Sequence, residues 1–411
     1  MISKMIDLNQ FKASVAAMIG AAWCCATNCI KYLVMRIFLT AILSILLLSC
    51  EGQISSPKKL LLSYYGDSTI IETSNLFCPA TLIADSSSAG FQMAHSLITD
   101  GTYIYVGERI SNTTPTEIAR IIKYNASTLA EVGSYSVGAN RDVESMVYNS
   151  GNNTIYTSQI YDNGVSRVVS IMRINPSNMT LIDTTVYNSL ISSESFAIVT
   201  DGVYIYGVTH TSSSQFFKIR LSDMELVAST TWGRIRGHAA KLDSDNGVMY
   251  VTNISYGETD PIYFAKVNLS DLSYTEVEIS DYVRKATDDF ATIDTGSEVY
   301  CYVGSEYVYS TPGSGNYGYG GVQIKASDLS LTGISLKSTY ALGAIDDYVY
   351  STTLDGNIQV FDRNDLNTVI TCSLNGYFGN EIIFLGGYGF VTNFDGYDES
   401  RGKLLKINLV E

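Results

Sequence analysis

Basic residues are scarce in this sequence. Lysine and arginine total 26 against 41 acidic residues, for a formal net charge of −15. Residues 1–49 hold Lys4, Lys12, Lys31 and Arg36 against Asp7, a net of +3, which leaves −18 on the remainder. No lysine or arginine cluster stands in that remainder. Such a surface repels phosphate backbones, which argues against nucleic acid as a partner. Histidine is scarcer still, with three in the whole chain. Of seven cysteines, only Cys78, Cys301 and Cys372 lie beyond Cys50. Their wide spacing gives neither a CxxC metal site nor a disulfide framework. They are expected to be small buried side chains; the alternative is one disulfide with one free thiol. No G-x-S-x-G, HExxH or CxxCH occurs, so no such motif points to a catalytic or haem site.

What is plentiful is tyrosine (30) and glycine (33), with 46% hydrophobic and only 16% charged residues. Aromatic side chains suit half-buried pleated surfaces and glycine suits tight turns, so the composition predicts folded β structure.

One short stretch carries an address. In "MRIFLTAILSILLLSC" (35–50) a basic start at Arg36 precedes the apolar run Ile37–Leu48 and then Ser49–Cys50. That is the layout of a secretory signal. The run is too short to span a bilayer core of about 30 Å, which takes roughly 20 residues. Leu47–Cys50 ("LLSC") resembles a bacterial lipobox, which implies that Cys50 is lipidated and becomes the mature N-terminus. Four segments are therefore expected. Residues 1–34 are an upstream extension ahead of the true start at Met35, and 35–49 are a lipoprotein signal peptide. Residues 50–76 are a polar tether, and 77–411 are the folded body. The alternative for the first part is a membrane hairpin formed from 13–30 and 37–48.

The body repeats itself. "SLITDGTYIYVG" (96–107) matches "AIVTDGVYIYGV" (197–208), and "DNGVMYVTN" (245–253), "DDYVYSTT" (346–353) and "GGYGFVTN" (386–393) follow the same plan. An apolar run, an Asp/Gly turn and an alternating aromatic/β-branched run are a hairpin signature. A second element follows most of these, as in "IIKYNASTLAEV" (121–132), "FKIRLSDMELV" (217–227) and "AKVNLSDLSYT" (265–275). Here a strand leads into a turn rich in Ser, Asn and Asp, then a Leu or Met expected to tuck beneath the turn, then another strand. Seven turns near 101, 151, 202, 247, 296, 347 and 387 recur about every 40–51 residues. A four-stranded repeat of that period predicts an all-β, seven-bladed β-propeller. The last repeat ends in its third strand, "KLLKINLVE" (403–411), and an orphan strand sits at "FCPATLIADSSS" (77–88). The orphan is expected to complete the seventh blade and so remove an open edge.

These repeats resemble the YVTN-type seven-bladed propellers of the lactonase-like and quinoprotein-like group. The motif stands at Tyr250–Asn253, with a near copy at Phe390–Asn393 and a strand ending, "YSVGAN" (135–140), of similar type. The likeness spans about 78–411. It departs from the family in the third strand, where Lys/Arg–Ile/Val–Asn replaces an Ile–Asp–Thr ending. The two tryptophans are also fewer than the quinone-dependent propellers carry. The resemblance implies a fold and a surface role, not an activity.

His95 and His238 fall just before the first strands of blades 1 and 4. The same column holds Glu144, Phe196, Phe290, Ala341 and Glu381, and Asp289 is adjacent. His95, Glu144, His238, Asp289 and Glu381 are thus candidates for a channel-mouth site for a divalent metal or small polar ligand. The alternative is a packing column, since aromatic and aliphatic residues share it, and no cofactor is expected in that case. His210 is expected in a solvated loop. "DSDNG" (243–247) lacks the remaining ligands of a calcium loop and reads as a turn. "TPGSGNYGYGG" (311–321) lacks the GK[ST] of a phosphate loop, and its Tyr317 and Tyr319 are candidates for a contact surface. The expected function is a lipid-anchored module of the cell envelope, with a monomeric body that binds or scaffolds a protein or glycan. The alternative is a lactonase-like hydrolase with its site at the channel mouth.

Overall fold

The computed structural model describes residues 62–64, 67–69, 82–85 and 94–409, except 109–117, 140–142, 144, 163, 255–259, 284–289, 306–319, 335, 337–338, 354, 375–377 and 396–397. The chain divides into two compact units, 1–71 with Glu411 and 72–410. In the first, within the stretch expected to be a tether, β1 (Leu62–Tyr64) and β2 (Asp67–Thr69) pair as an antiparallel hairpin.

The second unit begins with β3 (Leu82–Asp85). Blade 1 comprises β4 (Ala94–Thr99), β5 (Tyr103–Glu108), β6 (Ile118–Asn125) and β7 (Glu131–Ala139). Blade 2 comprises β8 (Ser145–Asn149), β9 (Thr154–Asp162), β10 (Arg167–Asn175) and β11 (Thr180–Ile191). Blade 3 comprises β12 (Glu194–Thr200), β13 (Tyr204–His210), β14 (Gln215–Arg220) and β15 (Glu225–Thr231). Blade 4 comprises β16 (Gly237–Asp243), β17 (Val248–Asn253), β18 (Tyr263–Asn268) and β19 (Tyr274–Glu278). Blade 5 comprises β20 (Ala291–Asp294), β21 (Val299–Gly304), β22 (Gly321–Lys325) and β23 (Leu331–Ile334). Blade 6 comprises β24 (Thr339–Ile345), β25 (Tyr348–Thr353), β26 (Asn357–Asp362) and β27 (Asp365–Ser373). Blade 7 comprises β28 (Phe378–Leu385), β29 (Tyr388–Asp395) and β30 (Asp398–Asn408), and β3 is its fourth strand. We call the four strands of each blade A to D, from the axis outward. The orphan strand therefore closes the ring as expected, with Leu82 opposite Ile407 and Asp85 opposite Leu405.

The A–B turns show why the Asp-Gly pairs matter. The Asp100 carboxylate accepts from the amides of Thr102 and Tyr103, and Asp201 does the same for Val203 and Tyr204. Gly101 and Gly202 then take φ of +91° and +87°, where a side chain is strained. The same carboxylates receive the hydroxyls of Tyr105 and Tyr206, at 2.6 and 2.9 Å. Burial and then the adjacent carboxylate push both tyrosines upward in pKa, so they stay protonated donors.

The C–D turns contain a feature that periodicity does not reveal. Leu129, Met179, Met224, Leu272 and Leu329 all adopt left-handed backbone, with φ between 54° and 59°. In blade 1 the Asn125 side chain accepts from the amides of Ser127 and Thr128, and the Leu129 amide bonds back to the Asn125 carbonyl. A non-glycine residue there costs about 1–2 kcal/mol. Burying the Leu or Met side chain returns about 1.5–3 kcal/mol, and Leu129 and Leu272 are indeed buried.

Most of the core lies between blades. Seven clusters of buried apolar side chains fill the seven interfaces, from blades 1–2 (Tyr105, Val143, Ile155) round to blades 7–1 (Phe390, Leu404, Leu97). Across these interfaces runs a repeated polar staple. Lys123 donates to the Pro176 carbonyl, Lys218 to Leu269, Lys266 to Ala326 and Lys406 to Ala126, at 2.8–3.2 Å. Each lysine projects from strand C and reaches the C–D turn of the next blade. Three of them also lie over a strand-B tyrosine, Lys123 on Tyr103, Lys218 on Tyr204 and Lys406 on Tyr388, at 3.8–4.2 Å from the ring centroid. The basic residue that sets strand C apart from the YVTN pattern thus has a structural role.

Candidate functional site

The four-letter motif occupies the end of strand B, and its third and fourth positions do separate work. At the third, Ser158 donates to the Phe196 carbonyl and Thr352 to the Gly379 carbonyl, each in the next blade. At the fourth, the side chain holds the root of the B–C connection. The Asn253 amide donates to Pro261 O and its oxygen accepts from Tyr263 N, and Thr209 Oγ1 accepts from Gln215 N. Glu108 accepts from both the backbone and the guanidinium of Arg120. The connections so anchored range from the short turn of blade 3 (211–214) to 109–117 in blade 1, and blade 5 carries a longer one, 305–320. A rigid ring presenting loops of unequal length at one end is suited to recognition.

In blade 2 the fourth position is Gln159. There strands B and C continue as a tight hairpin, with Asp162 opposite Arg167. Gln159 has no loop root to hold. It is fully buried, and neither atom of its amide has a hydrogen-bond partner.

The histidines are arranged differently from expectation. His210, expected in a solvated loop, ends β13 and is 1% exposed. Its ring meets that of His238 edge-on, with centroids 5.9 Å apart. The His210 amide donates to Ser192 Oγ, and its carbonyl accepts from Ser193 N and Oγ. Sequence reasoning missed this pair because His210 follows the strand-B motif by one residue, a place that reads as loop. His95 and His238 do sit at matching positions, each inside a register shift of strand A, Ala94/Ser96 and Gly237/Ala239. Glu381 is one step further along. It pairs with Thr392 as Ala239 pairs with Thr252. The A–B turn causes this offset: two residues separate the last paired positions in blade 7, Leu385 and Tyr388, against four in blades 1 and 4, so counting back from the turn shifts the alignment by one. The His95 side chain, Glu144, Asp289, Tyr317, Tyr319 and Cys50 lie outside the described residues and side chains. Among the described residues, no three or more His, Cys, Asp or Glu are grouped to hold a metal.

Two further features mark the blade surfaces. Ile118, Tyr161, Val165 and Ile191 are large exposed apolar side chains at the B–C end of blades 1 and 2. Tyr161 and Ile191 flank Val168 on adjacent strands, and Val165, at the hairpin tip, is 94% exposed. At the outer side of blades 3 and 4, Glu276 accepts from Trp232 Nε1 at 2.9 Å and from the Arg234 guanidinium, which stacks over Tyr263 at 3.8 Å. Burial pushes the Glu276 carboxyl up, but the hydrogen bonds and charge of Arg234 and Trp232 outweigh it and hold the group below its ordinary range.

The body is thus a seven-bladed β-propeller of four-stranded antiparallel blades, closed by an N-terminal strand. Its architecture is similar to that of solved WD40-type propellers. One is described as "Structure of U3-55K", with TM-score 0.57 and 10% identity, covering 79% of this chain and 98% of that one. The crystal structure of RRP9 WD40 repeats gives 0.56 and 12%, covering 80% and 100%. The Neurospora crassa Pan2 WD40 domain gives 0.57 and 7%, covering 77% and 89%. At these identities the likeness shows the fold alone. No family model matches the sequence. No curated protein matches it either.

Proposed function

We propose that this propeller is a binding or scaffold module of the cell envelope, anchored through a lipid on Cys50, and that its partner is a protein. The observation that carries the binding role is the exposure of Tyr161 and Ile191, which flank Val168, together with Val165 and Ile118 at the same loop-bearing end of blades 1 and 2. Large exposed apolar side chains gathered at one end of a folded protein mark a contact site, and aromatic and aliphatic anchors favour a protein partner over a sugar. The anchoring role rests on the signal layout of 35–50. The likeness to YVTN-type repeats belongs to this reading, because that group also implies a surface role.

The test uses the full chain in its host of origin. A photo-crosslinking residue at position 165 is expected to yield a discrete protein adduct, while one at Asp245, in an A–B turn, yields none. Equal labelling at both positions, or none at 165, overturns the binding role. Cys50→Ser is expected to move the protein from the membrane fraction to the soluble one. Native protein without lipid at Cys50 by mass spectrometry overturns the anchor.

A further inference from the structure

The outermost strands of blades 1–3 share a feature that plays no part in the binding role proposed above. Each carries a β-bulge shortly after its C–D turn. Lys123 pairs with Gly133 and Tyr124 with Glu131, so Val132 is the extra residue. By the same count Ile182 is extra in β11 and Val227 in β15. Each stands three positions past a left-handed turn residue, Leu129, Met179 or Met224. A bulge re-aims a side chain, and these three are 52%, 50% and 44% exposed.

Strand propensity does not account for this row. Three positions past Leu272 and Leu329, in blades 4 and 5, stand Thr275 and Thr332, and both are exposed. Threonine is as β-branched as valine and suits an open strand equally well, so the fold accepts a polar residue there. An aliphatic side chain left in water gains nothing from burial. A single one is ordinary, but the same choice in three successive blades is not. Leu181 and Val203, at 42% and 57% exposure, lie at the same end of blades 2 and 3. The three blades adjoin along the rim. A Cβ on Gly133 would lie 3.2 Å from Met179 Cγ, and the Tyr187 hydroxyl donates to the Met224 carbonyl at 2.9 Å.

Charge decides what covers this surface. The A–B and C–D turns of blades 1–3 hold Asp100, Asp201 and Asp223 and no lysine or arginine. Beside the bulges stand Glu131, Asp183 and Glu225. The basic residues nearby are engaged, Arg173 with Asp183 and Arg220 with Asp223 and Glu225, while Lys123 and Lys218 donate to carbonyls. The excess is acidic, which disfavours an anionic lipid surface, a nucleic acid or a second copy of this chain.

We propose that the outer rim of blades 1–3, at its C–D-turn end, docks a second protein whose surface sets apolar side chains among lysines and arginines. Val132, Ile182 and Val227 are the anchors, and the carboxylates around them steer and orient the partner. This face is separate from the loop-bearing end, because Ile182 lies near the start of β11 and Ile191 closes it. It also stops short of the A–B turn of blade 4 that holds Asp245. One ring thus joins two proteins. The argument needs neither lipid at Cys50 nor a partner at Val165.

The test uses the full chain in its native host, with a photo-crosslinking residue at Thr184, exposed on β11 two positions past Ile182. An adduct with a different protein is expected. Peptide sequencing should place the link in a segment with more lysine and arginine than aspartate and glutamate. Val132→Thr, Ile182→Thr and Val227→Thr together install the residue that blades 4 and 5 use. They should leave the Tm unchanged and cut the adduct at least about tenfold. The adduct at position 165 should survive that change. Glu131→Lys, which keeps the apolar row intact, should cut the adduct about threefold or more, as should high salt. No adduct at 184, an adduct with a second copy of this chain, or linkage to an acidic segment overturns the proposal. So does an undiminished adduct in the triple-threonine protein or in Glu131→Lys, and the charge variant decides the matter without the threonine variant having to fold.

Discussion

The ammonium of Lys406 donates to the carbonyl of Ala126 at 3.2 Å, joining residues separated by 280 positions in the chain. It is the same staple that links blades 1–2, 3–4 and 4–5, here placed across the closure between blades 7 and 1. The ring is closed by the bond that holds its ordinary interfaces, in addition to the shared sheet.

Lys406→Met keeps the aliphatic stem and removes the donor. A hydrogen bond from a charged group is worth about 1.5–3 kcal/mol, so a loss of that order is expected in urea unfolding. Lys218→Met should cost a similar amount. The two should add, because they lie at separate interfaces with no shared partner. No loss in either variant would show that the staples contribute nothing.

Leu272 offers an unusual ordering of substitutions. Leu272→Ala loses the buried side chain and keeps the left-handed strain, for an expected cost of about 2–4 kcal/mol. Leu272→Gly loses the same side chain but relieves the strain, and should be about 1 kcal/mol more stable than the alanine variant. Thermal unfolding of the pair decides it. An alanine variant more stable than the glycine one would mean that the backbone conformation at 272 carries no strain.

Gln159 should respond in the opposite direction to an ordinary core position. Its buried amide has no hydrogen-bond partner, and such a group costs about 1–3 kcal/mol. Gln159→Met keeps the length and removes the polar atoms. A higher urea midpoint with an unchanged m-value is expected. A lower midpoint would indicate that water bonds the amide.

Glu276 makes part of the stability depend on pH. Its carboxyl is held below its ordinary range in the folded state. The stability it contributes is therefore complete above the unfolded value, about 4.3, and is lost as pH falls through the lower folded value. Glu276→Gln should flatten the stability profile below about pH 4.3. An unchanged slope in the variant would assign the acid sensitivity to other carboxylates.

Much of the ring was legible in the chain because its signals are local. Each Asp-Gly turn and each alternating strand-B run can be read within a dozen residues, and the orphan strand was legible because the last repeat lacks a fourth strand. Features that depend on the neighbouring blade were not. The lysine of strand C reads as a departure from a family pattern until Pro176 or Ala126 is seen opposite it. The left-handed backbone at Leu129 is invisible because leucine carries no sign of it, whereas the glycine at 101 announces its own. The channel-mouth column was displaced by one residue at Glu381 because the A–B turn of blade 7 is two residues shorter, which shows only once Leu385 is seen opposite Tyr388. The burial of His210 against His238 joins two blades, and so does the position of Cys372 against Leu405.

The closing strand also sets an order of events. A chain made from its N-terminus exposes Leu82–Asp85 long before residues 398–408 exist to receive them. At about 5–20 residues per second the delay is on the order of tens of seconds. During that wait β3 is an unsatisfied edge segment, and its brevity limits what else it can recruit. Completion of the seventh blade is thus a checkpoint on synthesis, since any chain that stops short of β30 leaves β3 with nowhere to dock.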